Sequence, residues 1–176
     1  MKRWIIILAG IVIAWVAAFA FLHWRQMPKP VDTDYKPNPI PLSESSRRIL
    51  DTSEEFVLLS LQPDPGRLTT NTAEMFHDFP VLGRAEIRDR TRRAELLRAL
   101  YKGIVDSDGA MAICFNPRHG IRAVTGTNWI ELVICFQCYR MREYGTGQGD
   151  GATTTKSPNE VFNRALKSAG LPLTAD

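Results

Sequence analysis

Apolar and polar positions follow different rhythms along the chain, and each rhythm predicts a different kind of element. Trp4 to Leu22 is an uncharged run of 19 residues behind Lys2-Arg3, close to the roughly 20 apolar residues that cross a bilayer as a helix. Thr91 to Asp106 places Leu96, Leu97, Leu100, Tyr101, Ile104 and Val105 at three- and four-residue steps, the single stripe of an amphipathic helix. Val161, Phe162, Ala165, Leu166 and Ala169 repeat that stripe in a last helix. Its expected punctuation is Ser157 as N-cap, Pro158 in the first turn, Glu160 completing a capping box and Gly170 at the end. A short helix from Ser43 to Thr52 can precede both, docking through Ile49-Leu50.

Strand patterns fill the gaps between these helices. Glu55 to Leu61 reads as a strand ended by Pro63-Asp64-Pro65-Gly66. Met75 to Ile87 predicts one or two strands interrupted near Pro80 and Gly83, and Ala152 to Thr155 a last edge strand. The longest β-rich stretch is Ala110 to Tyr144, two runs about the turn Thr125-Gly126-Thr127-Asn128. A two-residue loop there sets Arg122 opposite Glu131, a cross-strand charge pair contributing about 0.2–1 kcal/mol. It also aligns Ile130, Leu132, Ile134 and Phe136 on one strand face, with Trp129, Val133 and Cys135 on the other. Apolar residues on both faces predict a central strand. Asn116 to Gly120 should interrupt the first run, because Pro117 has no N–H to donate and Gly120 marks a bulge or a close backbone approach. The expected fold is therefore α+β: a mainly antiparallel sheet with two packed helices, preceded by one N-terminal transmembrane helix.

Charge divides the chain into three regions. The net charge is +3, but residues 1–30 hold Lys2, Arg3, Arg25 and Lys29 and no acid. Setting those four aside leaves 18 of the 22 basic side chains against 19 acidic ones, which gives no support to a nucleic-acid surface. Residues 1–24 are read as a signal anchor, with membrane contact through residues 4–22 and Trp4, Trp24 and Arg25 at the interfaces. A cleaved signal peptide is the rival, because Ala18-Phe19-Ala20 fits a cleavage site. Residues 25–42, with prolines at 28, 30, 37, 39 and 41, form an extended tether. Residues 43–176 form one domain, expected on the extracytoplasmic side of a cell membrane.

Candidate chemistry concentrates in the hairpin. It holds all three cysteines, Cys114, Cys135 and Cys138, together with Arg118 and His119. Elsewhere the signals are bland. His77 has no identifiable partner, Asp106-Ser107-Asp108-Gly109 lacks the later ligands of a calcium loop, and Gly145 to Gly151 lacks the ending of a phosphate loop. Cys114-Phe-Asn-Pro-Arg-His-Gly-Ile121 followed by Val133-Ile-Cys-Phe-Gln-Cys138 resembles the signature of a family of small exported bacterial proteins of unknown function. That resemblance covers about Phe56 to Leu173 and implies one folded domain outside the cytoplasm, without an activity.

Three readings of the cysteines stand side by side. Cys114, His119, Cys135 and Cys138 have the ligand types of a zinc site, though Cys135 and Cys138 could share a metal only if their strand ended between them. A disulfide suits an oxidising compartment, and one extra residue in the interruption would set Cys114 opposite Cys138, the pair expected to bridge. Three buried reduced thiols are the plain alternative. Arg118 and His119 are the candidate binding residues. The functional expectation is a membrane-tethered binding or accessory domain, without resident cofactor, that engages an unknown protein or envelope component. The alternative is a thiol- or zinc-dependent enzyme or carrier built on the same hairpin.

Overall fold

The computed structural model describes residues 37–64, 66, 74–147 and 149–174, together with Phe19. Apart from Phe19, the expected membrane helix and the tether as far as residue 36 lie outside the described residues, among which no helix is long and apolar enough to cross a membrane.

The domain is α+β. Its helices are α1 (Glu44–Thr52), α2 (Arg90–Val105) and α3 (Asn159–Ser168). Its strands are β1 (Glu55–Leu61), β2 (Met75–Phe76), β3 (Phe79–Glu86), β4 (His119–Thr125), β5 (Asn128–Cys135), β6 (Arg140–Gly145) and β7 (Ala152–Thr153). They form one sheet in the order β2-β3-β1-β4-β5-β6-β7, with every neighbouring pair antiparallel. The two-helix expectation is corrected to three helices. The short α1 is a full member of the core, because Ser43 caps it by accepting the Ser46 N–H at 3.1 Å and Ile49 and Leu50 are buried.

Alternation along the strands sorts two cores. Phe56, Leu58, Ile121, Ala123, Ile130, Leu132 and Ile134 face a layer made by all three helices, where Leu96, Leu100, Phe162 and Leu166 meet them. Leu59, Leu61 and Val133 point the other way, into a smaller cluster with Phe76 and Phe79. Gly120 makes that cluster possible. A Cβ there would lie 2.9 Å from the Phe76 ring, so the missing side chain lets the β2–β3 hairpin fold over β4. The close-approach reading of Gly120 holds, and the residue sits in regular pairing opposite Val133 and Leu59.

The boundary between tether and domain moves. Leu42 is buried in the helix-side core. Ile40 exchanges backbone contacts with Thr153, which donates its N–H to the Ile40 carbonyl at 2.9 Å, while the Ile40 N–H reaches Thr153 Oγ1 at 3.0 Å. Residues 37–42 thus pack onto the domain, and the compact unit runs Lys36–Asp176. Leu42 is one apolar residue among prolines, so no periodicity announces it.

Two other expectations shift. The break between β2 and β3 falls at His77-Asp78, with Phe76 opposite Phe79, and Pro80 lies inside β3. The irregularity near Gly83 is a bulge opposite Ser60 and Leu61. In α3 the cap is Pro158, without a side-chain bond. Ser157 Oγ lies instead 2.8 Å from Thr155 Oγ1.

Candidate functional site

The hairpin register is the one the turn dictates: Thr125 opposite Asn128, Arg122 opposite Glu131 and His119 opposite Ile134, with no bulge. The run before it is not a strand. Residues 107–118 form an irregular loop, so Cys114 never enters the ladder. The expected Cys114–Cys138 bridge is corrected accordingly: Cys135 and Cys138 are bonded, with Cα atoms 5.2 Å apart, and Cys114 is free and exposed.

The cause is local. β5 ends at Cys135, and the chain reverses through Phe136-Gln137-Cys138-Tyr139 so that Cys135 pairs with Arg140 of β6. Closing that turn takes a left-handed residue, and Tyr139 supplies it at φ 57°. Residues three apart on a strand face opposite ways, but across this turn they converge. The Cys138 N–H donates to the Cys135 carbonyl and lies 3.2 Å from Cys135 Sγ.

The loop is fastened onto this turn. The Ala112 N–H donates to the Cys138 carbonyl at 3.1 Å, and the Asn116 N–H reaches Cys138 Sγ at 3.4 Å. Arg118 donates to Gln137 Oε1, and its carbonyl accepts the Leu61 N–H at 3.0 Å. Phe115 points inward, its ring under the guanidinium groups of Arg140 and Arg142 at 5.0 and 4.3 Å. What the loop shows to solvent is apolar. Ile113 is 100% exposed and Met111 48%, beside Tyr139 at 40%.

The two candidate binding residues part company. Arg118 is half-buried and braces the loop against the turn. His119 is 2% exposed and faces the helices, with Nε2 2.9 Å from Asn163 Oδ1 and its ring against Phe136 and Phe162. It is therefore corrected from a binding residue to a core residue. Cys135 belongs to the opposite strand face, so Cys114, His119, Cys135 and Cys138 do not converge. No group of three or more metal-ligating side chains occurs among the described residues.

A second cluster on the same sheet face escaped the sequence reading. His77, at φ 54° in the β2–β3 turn, stacks on Tyr144 with ring centroids 3.6 Å apart. Its Nε2 lies 2.9 Å from Glu131 Oε2, but out of line for a hydrogen bond. Arg122 takes the other Glu131 oxygen. Asp78 lies 3.8 Å from Arg142, which joins this cluster to Phe115 and the cysteine turn. The one sequence signal for it was Glu131, a carboxylate on an otherwise apolar central strand. On the helix side, an open groove of about 900 Å³ between α1 and α2 carries Arg90, Arg93, Arg98 and Lys102 with Asp51 and Asp106, and Arg93 is committed to the Ser53 and Ile87 carbonyls.

No family model, no curated protein and no solved structure matches the chain.

Proposed function

We propose that the protein is a membrane-tethered extracytoplasmic binding or accessory domain, held through residues 4–22, whose contact surface is the loop 110–118 and the adjoining Cys135–Cys138 turn. The observation that carries this reading is the apolar edge of Met111, Ile113 and Tyr139, presented by a loop that backbone bonds fasten in place. Exposed apolar groups clustered on a constrained loop suit recognition better than packing. The disulfide suits an oxidising compartment, and the half-buried arginines beside it suit a partner carrying carboxylates. The partner class is an envelope protein, not nucleic acid.

A photo-crosslinking residue at position 113 of the full chain in intact cells tests the surface, with position 92 on exposed α2 as control. A discrete adduct from 113, weakened by Met111→Asp, is expected. Equal labelling from both positions, or none, would reject the surface. A reporter active only outside the cytoplasm, fused after residue 176, tests the orientation separately.

A further inference from the structure

We infer that the three sulfurs form a thiol–disulfide exchange site, with Cys114 as the entering thiol, Cys138 as the sulfur attacked and Cys135 as the leaving thiolate. The inference shares the loop of the proposed contact surface but not its partner. Three observations converge on it.

The first is placement. The loop touches Cys138 two residues before Cys114, through Ala112, and two residues after it, through Asn116. Standard backbone dimensions and the 3.4 Å contact from Asn116 to Cys138 Sγ keep the Cys114 Cα no farther than about 10 Å from that sulfur. Attack requires residues 113–116 to shift toward the turn and release the Asn116 contact, between the anchors at Ala112 and Arg118.

Access is the second. Cys135 and Cys138 are each 1% exposed, whereas Cys114 is exposed. A reagent in solution meets the free thiol first and the buried bond only through it.

Direction is the third. The Asn116 N–H that lies against Cys138 Sγ belongs to the loop that must move during attack. The N–H beside Cys135 Sγ, at 3.2 Å, belongs to Cys138 in the turn itself and stays in place. A developing thiolate on Cys135 therefore keeps a donor that one on Cys138 would lose. A donor at the leaving sulfur favours its charged form and speeds its departure.

The step balances without an external oxidant. Cys114 gives its proton to solvent, and its thiolate forms the bond to Cys138 Sγ. The Sγ–Sγ bond between Cys138 and Cys135 breaks, and its electron pair leaves on Cys135, which takes a proton from water. The surface bridge so formed is open to a protein dithiol. One thiolate of that dithiol attacks Cys114 Sγ and releases Cys138. Its second thiol then closes onto the first and frees Cys114. The partner dithiol ends as a disulfide, and Cys135 and Cys138 end reduced.

The test uses the full-length protein in detergent, with thiols trapped by alkylation and bridges mapped on peptides, and no partner present. Dithiothreitol should reduce the Cys135–Cys138 bond at least tenfold more slowly in Cys114→Ser, an exposed and conservative change, than in the wild type. With oxidised glutathione supplied as the two-electron oxidant, Cys135→Ser should form a Cys114–Cys138 bridge, while Cys138→Ser should leave Cys114 and Cys135 unbridged. Equal reduction rates in wild type and Cys114→Ser would overturn the inference, and that comparison decides it should either buried-cysteine variant fail to fold. Because no partner enters the assay, its failure leaves the contact surface standing, and a failed crosslink at position 113 leaves the exchange standing.

Discussion

His77 and Tyr139 are the two non-glycine residues with positive φ among the described residues, at 54° and 57°, and each closes a turn on the face that carries the sulfurs. The left-handed conformation costs an ordinary L-residue about 1–2 kcal/mol, so something must hold each in place. For His77 it is the stack on Tyr144 and the nearby Glu131 carboxylate. Tyr139 is held through its backbone, whose carbonyl accepts the Thr154 N–H at 3.0 Å, while its ring is partly exposed. Substitution by glycine should therefore separate them. Tyr139→Gly is expected to leave stability unchanged or raise it by up to about 1 kcal/mol, and His77→Gly to lower it by about 1 kcal/mol through the lost stacking, both read from urea midpoints. A third residue-scale test concerns Glu143, which is 6% exposed. Its Oε1 accepts from Ser46 and Ser43, and its Oε2 has no hydrogen-bond partner among the described residues. Ser46→Ala removes a donor from a buried carboxylate and should cost about 2 kcal/mol in the same measurement.

At the scale of elements, the hairpin β4–β5 and the turn into β6 show how one stretch can be half legible. Its register followed from the two-residue loop at Gly126-Thr127, because glycine accepts the φ of 55° found there. The next reversal was hidden, since Tyr139 gives no glycine-like signal and Cys135-Phe-Gln-Cys138 reads as continued strand. The bridge closes only a short loop, so reducing it, with Cys114 already alkylated, should lower stability by about 2 kcal/mol. The α1–α2 contact offers a pH test. Burial, then the bond to Asp51 Oδ1 at 2.8 Å, push the Tyr101 hydroxyl well above its ordinary value of 10.0. The neutral form is the one favoured in the fold. Its contribution is complete below the unfolded value near 10 and is lost as pH rises through the higher folded one. The wild type should accordingly lose stability above about pH 10 more steeply than Tyr101→Phe, as denaturant titrations across that range would reveal.

For the whole molecule, Leu42 shows where the fold begins. It is 4% exposed within the helix-side core, beside the backbone pairing of Ile40 with Thr153. Leu42→Ala in the full chain should cost about 2–3 kcal/mol by cavity formation, measurable by denaturant unfolding, and a chain beginning at Ser43 should be less stable than one beginning at Pro37 by at least as much. By itself the sequence determined the α+β class, the β4–β5 register, both longer helices and which residues of β5 share a face. Those features depend on periods of two and 3.6 residues and on local turn chemistry, all written in neighbouring positions. Only the tertiary structure decided that Cys138 bonds Cys135, that His119 turns into the core, that Phe76 lies over Gly120 and that His77 meets Glu131. Three of these depend on a left-handed residue or a missing side chain, and the burial of His119 on contacts with Asn163 and Phe162; no local pattern encodes a contact with a distant partner.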